Sequence, residues 1–161
     1  MKQVEKYSYL GEVISDKGIA NSVLETINKR YGSAYRAIFE IKTIIEDARS
    51  NVTGSFITAI KLWEMAVLPA LLNSADCWFK MPSEALRKLN KLSQLFLSSL
   101  LQAGRNCPIM ALYWFTGSLL PANRIILKKM LFLHHVTHLD SSSLAAEVLA
   151  VQQQLELPDG L

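Results

Sequence analysis

The longest regular pattern in this sequence is a series of apolar residues spaced three or four positions apart. The series is Val23, Ile27, Tyr31, Ala34, Ile38, Ile41 and Ile45. This spacing is typical of an α-helix with one side packed against a core. Ser22 and Glu25 have the spacing of a capping box, so the pattern predicts a helix that begins near Ala20. We expect a loop at residues 50–54 to follow this helix.

The rest of the chain also has helical patterns. A segment from about Ser55 to Trp78 is apolar on most sides, which predicts a helix in the centre of the fold. Pro69 lacks a backbone donor and should kink it. Proline, serine and glycine at suitable positions divide the remainder into four more helices. They are expected from Ser83 to a stop at Gly104, from Pro108 to a stop at Gly117, from Pro121 through Val136, and from Leu144 to about Leu155. In the third of these, Arg124, Lys128 and Lys129 are expected to face outward.

The stretch at residues 9–19 has the pattern of β-structure. Side chains alternate from Tyr9 to Ser15, which predicts one strand that runs into a turn at Asp16-Lys17-Gly18. Because an isolated hairpin is unstable in water, it should lie on the helices that follow. The predicted fold is mainly α, with a short N-terminal β-hairpin followed by a bundle of about six helices. Three parts are expected: a hairpin at 1–19 and helical units at 20–80 and 81–161.

Composition indicates a partner-covered surface. Charged residues are only 19% of the chain, against roughly 25% in soluble domains, while mean hydropathy is +0.19. Lysines and glutamates interrupt every apolar run before the roughly 18 residues that a membrane helix needs, so no membrane partner is expected. Because the sequence has no secretory signal, the chain is expected inside the cell, and nothing in the sequence distinguishes the nucleus from the cytoplasm. The net charge of +3 permits a nucleic-acid partner without requiring one.

Motifs for independent catalysis are not found in the sequence. It has no phosphate-binding glycine loop and no nucleophile elbow, and its aspartates are scattered. His134 and His138 share a helix face on which two histidines can bind zinc, but no glutamate lies between them as in H-E-x-x-H. Surface or hydrogen-bonded histidines, His135 included, are the alternative. We expect no metal, no cofactor, and reduced thiols at Cys77 and Cys107.

The basic residues of the first long helix are the candidate binding site. Cations along a helix can follow a phosphate backbone and add affinity without reading sequence. The alternative is an ordinary solvated helix face. The candidates are Lys29, Arg30, Arg36 and Lys42.

Several motifs, in order, resemble one family. Tyr9-Leu10-Gly11-x-Val13-Ile14-Ser15-x-x-Gly18 resembles the segment that follows the palm in reverse transcriptases of non-LTR (LINE-type) retrotransposons. Ile27-x-x-Arg30-x-x-x-Ala34 is similar to their first thumb helix. Residues 61–78 resemble the motif that ends in tryptophan, although Asn73-Ser74 replaces its usual Tyr-Gly. Leu112-Tyr113-Trp114-x-Thr116-Gly117 and Leu157-Pro158-x-Gly160-Leu161 resemble the linker after the thumb.

The resemblance implies a primer-grip-like hairpin at 1–19, a thumb-like unit at 20–80 and a linker unit at 81–161. The palm with its Tyr-x-Asp-Asp motif would precede Met1, so the chain itself would not be an enzyme. The implied partners are an RNA–DNA template–primer duplex, held weakly, and the missing palm or another protein on the exposed apolar surface. Gly11 would let backbone approach the primer. The alternative is a helical interaction module or domesticated remnant that binds no nucleic acid.

Overall fold

The fold begins with a two-stranded antiparallel hairpin. The computed structural model describes residues 5–9, 11–47, 52–78, 81–104, 107–139, 143 and 147. Strands β1 (Lys6–Tyr9) and β2 (Glu12–Ser15) pair with Tyr9 opposite Glu12. The expected single strand over residues 9–15 is therefore wrong, because Gly11 has a φ of +86° and lies in the connecting turn. Leu10 lies outside the described residues.

A long helix, α1 (Ile19–Asp47), follows the hairpin. The Ser22 amide donates to the Gly18 carbonyl, so Ser22 is already inside the helix. The expected capping box is wrong, because the Ser22 hydroxyl contacts the hairpin and Glu25 pairs with Lys6. The apolar series is confirmed. Its members are buried or partly buried against the core from Val23 to Ile45.

The central helical segment changes type along its length. Helix α2 (Val52–Leu62) leads into a π-helix (Trp63–Val67) and then α3 (Leu68–Leu71). The expected loop at 50–54 is wrong for its last three residues, which are helical. The Leu68 amide donates to the Trp63 carbonyl five residues back, directly before Pro69. Pro69 has no amide hydrogen to donate, and the wider helical turn lies directly before it. The irregularity expected at Pro69 therefore takes the form of a π-helix.

A 3₁₀ turn (Ala75–Cys77) joins this segment to three further helices. They are α4 (Ser83–Leu100), α5 (Ile109–Thr116) and α6 (Pro121–Thr137). Gly117 ends α5 with a φ of +66°, as expected. Gly104 does not end α4. That role falls to Gln102, whose φ is +50°, with the Ala103 amide donating to the Ser98 carbonyl.

One apolar core joins α1 to the helices that follow. Trp63 stacks on Phe96 with ring centroids 4.5 Å apart, which connects the π-helix to α4. Leu112 of α5 and Ile125 of α6 belong to the same buried cluster. The central segment is less buried than expected, because Ile57 and Met65 are exposed. The predicted division at residues 80 and 81 stays a prediction.

The predicted fold class is confirmed: the chain is mainly helical, and a short hairpin precedes the helices. The outward orientation expected for Arg124 and Lys128 is wrong. Arg124 pairs with Glu64, and the Lys128 ammonium donates to the Leu72 carbonyl at 3.1 Å. The helix expected at 144–155 lies mostly outside the described residues. Within the described ranges, no helix has the length and apolarity to cross a membrane.

Candidate nucleic-acid interface

Side chains of α1 hold the hairpin by its backbone. The Val13 amide donates to the Thr26 hydroxyl at 2.8 Å, and the Ser15 amide donates to the Ser22 hydroxyl at 2.9 Å. Thr26 is fully buried, so its hydroxyl needs a partner, which the hairpin amide supplies. Both acceptors lie in the first two turns of α1. They place β2 along the N-terminal part of that helix.

Arg30 connects three separate parts of the fold. One guanidinium nitrogen donates to the carbonyls of Leu71, at 3.3 Å, and Asn73, at 2.7 Å. The other donates to the Gly11 carbonyl at 3.4 Å and lies 2.5 Å from a Glu12 carboxylate oxygen. Arg30 therefore joins the hairpin turn, α1 and the end of α3.

These contacts limit what else Arg30 can bind. Four of the five guanidinium N–H groups are accounted for by the four acceptors, and the side chain is only 13% exposed. A phosphate would have to displace the Glu12 carboxylate. Glu12 is itself held, because the Trp78 indole N–H donates to its second oxygen at 3.4 Å. The role of Arg30 is therefore to hold the neighbouring parts of the site in position.

A groove lies between α1 and the segment that contains Pro69. Gly11, Lys29 and Arg30 lie at this groove, which has a volume of about 470 Å³. Alanines form much of its lining, and their small side chains leave the space open. These residues are Ala34, Ala37, Ala66 and Ala70. Three predicted site residues therefore lie around one groove.

Lys29 and Arg36 provide exposed positive charge on α1. They are seven residues apart, so they lie on the same side of the helix. The Lys29 ammonium donates to the Ser8 hydroxyl at 2.7 Å, a bond at an exposed position. Arg36 has no hydrogen bond or ion pair with any described residue. Both cations are open to an anionic ligand.

Lys42 lies away from this pair. It lines a different groove, formed by the C-terminal parts of α1 and α4, with Leu95 and Gln102 on the far side. Its ammonium is 3.8 Å from the Glu46 carboxylate one turn later. The structure therefore brings together Gly11, Lys29 and Arg30, with Arg36 along the same helix side, and leaves Lys42 separate.

The other candidate residues form no cluster. The rings of His134 and His138 are 4.2 Å apart, but the Nδ1 of His138 is 2.7 Å from the His134 carbonyl oxygen. Among the residues with described positions, no three His, Cys, Asp or Glu side chains converge on a metal-sized site. Cys77 is a free thiol whose pKa is raised by burial and then by the nearby carboxylates of Asp76 and Glu12, which opposes thiolate formation.

Sequence reasoning missed the residues that position the site. Glu12 and Thr26 both hold the hairpin in place, and neither was among the expected site residues. Thr26 had a signal, since it is a polar residue directly beside Ile27 in the apolar series. Glu12 had no such signal in the sequence, because its partner Arg30 is eighteen residues away.

Comparisons of this chain with protein-family models, with curated proteins and with solved structures give no match.

Proposed function

We propose that this chain is a non-catalytic part of a LINE-type reverse transcriptase, a thumb and linker that help to hold an RNA–DNA template–primer duplex. The observation that carries the proposal is the fixed position of the hairpin beside Lys29, with Arg36 two turns further along the same side of α1. Hydrogen bonds from Val13 and Ser15 secure the hairpin on α1. A duplex backbone lying along this side of α1 would meet both cations and the hairpin turn.

Each predicted site residue has a distinct part in this proposal. Lys29 and Arg36 are the direct phosphate contacts, because their charged groups are exposed. Gly11 lies in the hairpin turn at the groove, and because it has no side chain it lets the protein backbone approach the primer closely. Arg30 holds that turn in position through the Gly11 carbonyl and Glu12. Lys42 would contact phosphate only if the duplex extended to the other side of α1.

The backbone at Ser74 supports the resemblance on which the proposal depends. The family pattern has glycine at this position, before the tryptophan that corresponds to Trp78. Ser74 has a φ of +60°, in the left-handed region that glycine adopts without strain. A serine here therefore occupies a backbone conformation suited to the family's residue.

The exposed face of the hairpin is consistent with a missing neighbour. Tyr7, Tyr9 and Ile14 are each more than half exposed. In the resemblance, the palm directly precedes this hairpin in the chain. We therefore assign this face to the palm in the parent enzyme. The catalytic step would belong to that palm, and the parent family is RNA-directed DNA polymerase.

Binding of a labelled RNA–DNA hybrid, measured by fluorescence anisotropy over a salt series, tests the duplex proposal. The affinity should fall steeply between about 50 and about 200 mM salt, because phosphate contacts release counterions. The variant Lys29→Ala/Arg36→Ala should bind more weakly, and its log–log salt slope should be shallower by roughly 1.5 to 2.

The matched control is Arg87→Ala/Lys91→Ala, which removes the same charge from exposed positions of α4. It should retain nearly all of the salt slope. The proposal would be rejected by an absence of binding at low salt, or by an equal loss in the two double variants.

A helical interaction module without nucleic-acid binding is the second candidate function. The exposed apolar residues of α5 and α6 favour it, with Trp114 at 84% and Phe115 at 73% exposure. Such residues are typical of surfaces that contact another protein. This function requires no contribution from Lys29 or Arg36, so the hybrid-binding experiment separates it from the first.

A further inference from the structure

The C-terminal end of α6 carries a pair of neighbouring imidazole rings. His134 and His138 are four residues apart and therefore lie on one side of the helix, and their ring centroids are 4.2 Å apart. His135 follows His134 directly and is rotated from it by about 100° around the helix axis. All three histidines are exposed. Two exposed imidazoles at this spacing can bind the same metal ion.

The hydrogen bonds of His138 determine which of its ring nitrogens is free. Its Nδ1 lies 2.7 Å from the His134 carbonyl oxygen, which can only accept. The Thr137 hydroxyl lies 3.4 Å from the same nitrogen and donates to that carbonyl at 2.9 Å, so it too is an acceptor for Nδ1. In neutral His138, Nδ1 therefore carries the hydrogen and Nε2 carries the lone pair. A backbone carbonyl that orients the ring in this way is typical of metal-bound histidine.

The ring of His134 is also available to a ligand. It makes no hydrogen bond to any residue that the structure describes, and its side chain is exposed. Zn–N distances of about 2.0 to 2.1 Å place the ring centres of two tetrahedrally coordinated imidazoles roughly 5 Å apart. The observed separation is 4.2 Å, so a small rotation of two exposed side chains would bring one nitrogen of each ring to a single ion.

The electrostatics of this helix end favour a cation. The last carbonyls of a helix carry partial negative charge, and His134 and His138 lie in the last turn and at the C-cap of α6. The nearest basic residues of α6 do not oppose a cation at the pair. Lys128 donates to the Leu72 carbonyl, and Lys129, five residues before His134, is rotated from it by about 140°.

We propose that His134 and His138 together bind a divalent transition-metal ion such as Zn²⁺, with water in the remaining coordination positions. Imidazole nitrogen suits Zn²⁺, Cu²⁺ and Ni²⁺, whereas Mg²⁺ prefers oxygen ligands. A site with two protein ligands binds more weakly than the four-ligand sites of structural zinc, so we expect micromolar affinity. The proposal does not depend on duplex binding, since Lys29 and Arg36 are on another helix.

Isothermal titration calorimetry of the full chain with ZnCl₂, in a protein without a polyhistidine tag, tests the proposal. His134→Asn and His138→Asn should each weaken Zn²⁺ binding at least about tenfold, because each removes one of the two ligands. The matched control His135→Asn removes an exposed histidine from the same turn and should bind like the wild type. MgCl₂ at the same concentrations should give no binding at this site.

NMR of the histidine rings locates the ion. Metal-free, neutral His138 should have its hydrogen on Nδ1, and Zn²⁺ should shift the ring nitrogens of His134 and His138 but leave those of His135 unchanged. Four results would overturn the proposal: no Zn²⁺ binding, an unchanged affinity in His134→Asn or His138→Asn, an equal loss in His135→Asn, or equal binding of Mg²⁺. Far-UV circular dichroism of the three variants checks that they remain folded.

Discussion

The Arg30 guanidinium lies 2.5 Å from the Glu12 carboxylate and joins the β-hairpin to the helical body of the protein. The same guanidinium donates to backbone carbonyls at the end of α3 and just after it. Glu12 in turn accepts from the Trp78 indole. A two-stranded hairpin has little stability of its own, so its position depends on this network and on the two amide bonds to α1.

Loss of Arg30 should therefore destabilise the fold. Arg30→Ala removes four hydrogen bonds and leaves Glu12 partly buried without its cation, so we expect a loss of about 2 to 4 kcal/mol in the free energy of unfolding. Arg30→Lys should recover only part of this, because a single ammonium cannot reach all four acceptors. Urea denaturation followed by circular dichroism measures both values.

Lys42→Ala is the control for Arg30→Ala. Its ion pair with Glu46 is about half exposed on both sides, so its removal should change stability by no more than about 0.5 kcal/mol. Equal stability losses in Lys42→Ala and Arg30→Ala would contradict the network described here.

The pairing of Lys6 with Glu25 predicts a pH dependence. Their charged groups are 2.8 Å apart, and the hydrogen bond from Lys6, followed by its charge, lowers the pKa of Glu25 below its ordinary value of 4.5. The stabilising effect is therefore present above about pH 4.5 and is lost as the pH falls through the lowered pKa. Correspondingly, the pKa of Lys6 is raised above 10.5, mainly by the hydrogen bond to Glu25, so its effect is lost only at still higher pH.

Lys6→Gln tests this coupling directly. In that variant the Glu25 pKa should rise toward its ordinary value, and the acid-side loss of stability should become smaller. An NMR titration of the Glu25 side-chain carboxyl carbon measures the pKa. An equal Glu25 pKa in the variant and the wild type would mean that the contact with Lys6 does not cause the lowering of that pKa.

Local periodicity predicted the buried side of α1 well, but it could not predict contacts between residues that are far apart in the sequence. Val23, Ile27 and Ile38 are buried as their spacing indicates, because a helix repeats every 3.6 residues whatever surrounds it. Ser22 and Glu25 show the limit. Their spacing is that of a capping box, but the Ser22 hydroxyl accepts from the Ser15 amide and the Glu25 carboxylate accepts from the Lys6 ammonium.

The candidate site has the same limit. The positions of Lys29 and Arg36 on one helix side follow from their spacing alone. The engagement of Arg30 by Leu71 and Asn73 involves residues more than forty positions away, and no local pattern contains that information. Sequence reasoning therefore located the basic helix but could not separate its exposed cations from the one that holds the fold together.

Ser74 predicts a stabilising substitution. Its φ of +60° costs free energy for a residue with a Cβ, and glycine adopts it readily. Ser74→Gly should raise the free energy of unfolding by about 0.5 to 1 kcal/mol. The control Ser33→Gly places glycine within α1 and should lower it by about 0.5 kcal/mol, since the residue is exposed in regular helix. Thermal and urea denaturation compare the two, and a loss of stability in Ser74→Gly would count against the left-handed conformation.

Trp63 is the side chain on which the packing of the π-helix against α4 depends most. It is 1% exposed, and its ring is nearly parallel to that of Phe96, with centroids 4.5 Å apart. Trp63→Ala should lower the free energy of unfolding by about 3 to 5 kcal/mol, because it removes the apolar contacts and leaves a cavity. Met65→Ala, two residues later in the same π-helix and 77% exposed, should change it by no more than about 0.5 kcal/mol. Guanidinium denaturation of both variants measures the difference, and similar effects at the two positions would mean that this turn of the π-helix does not pack on α4 as described.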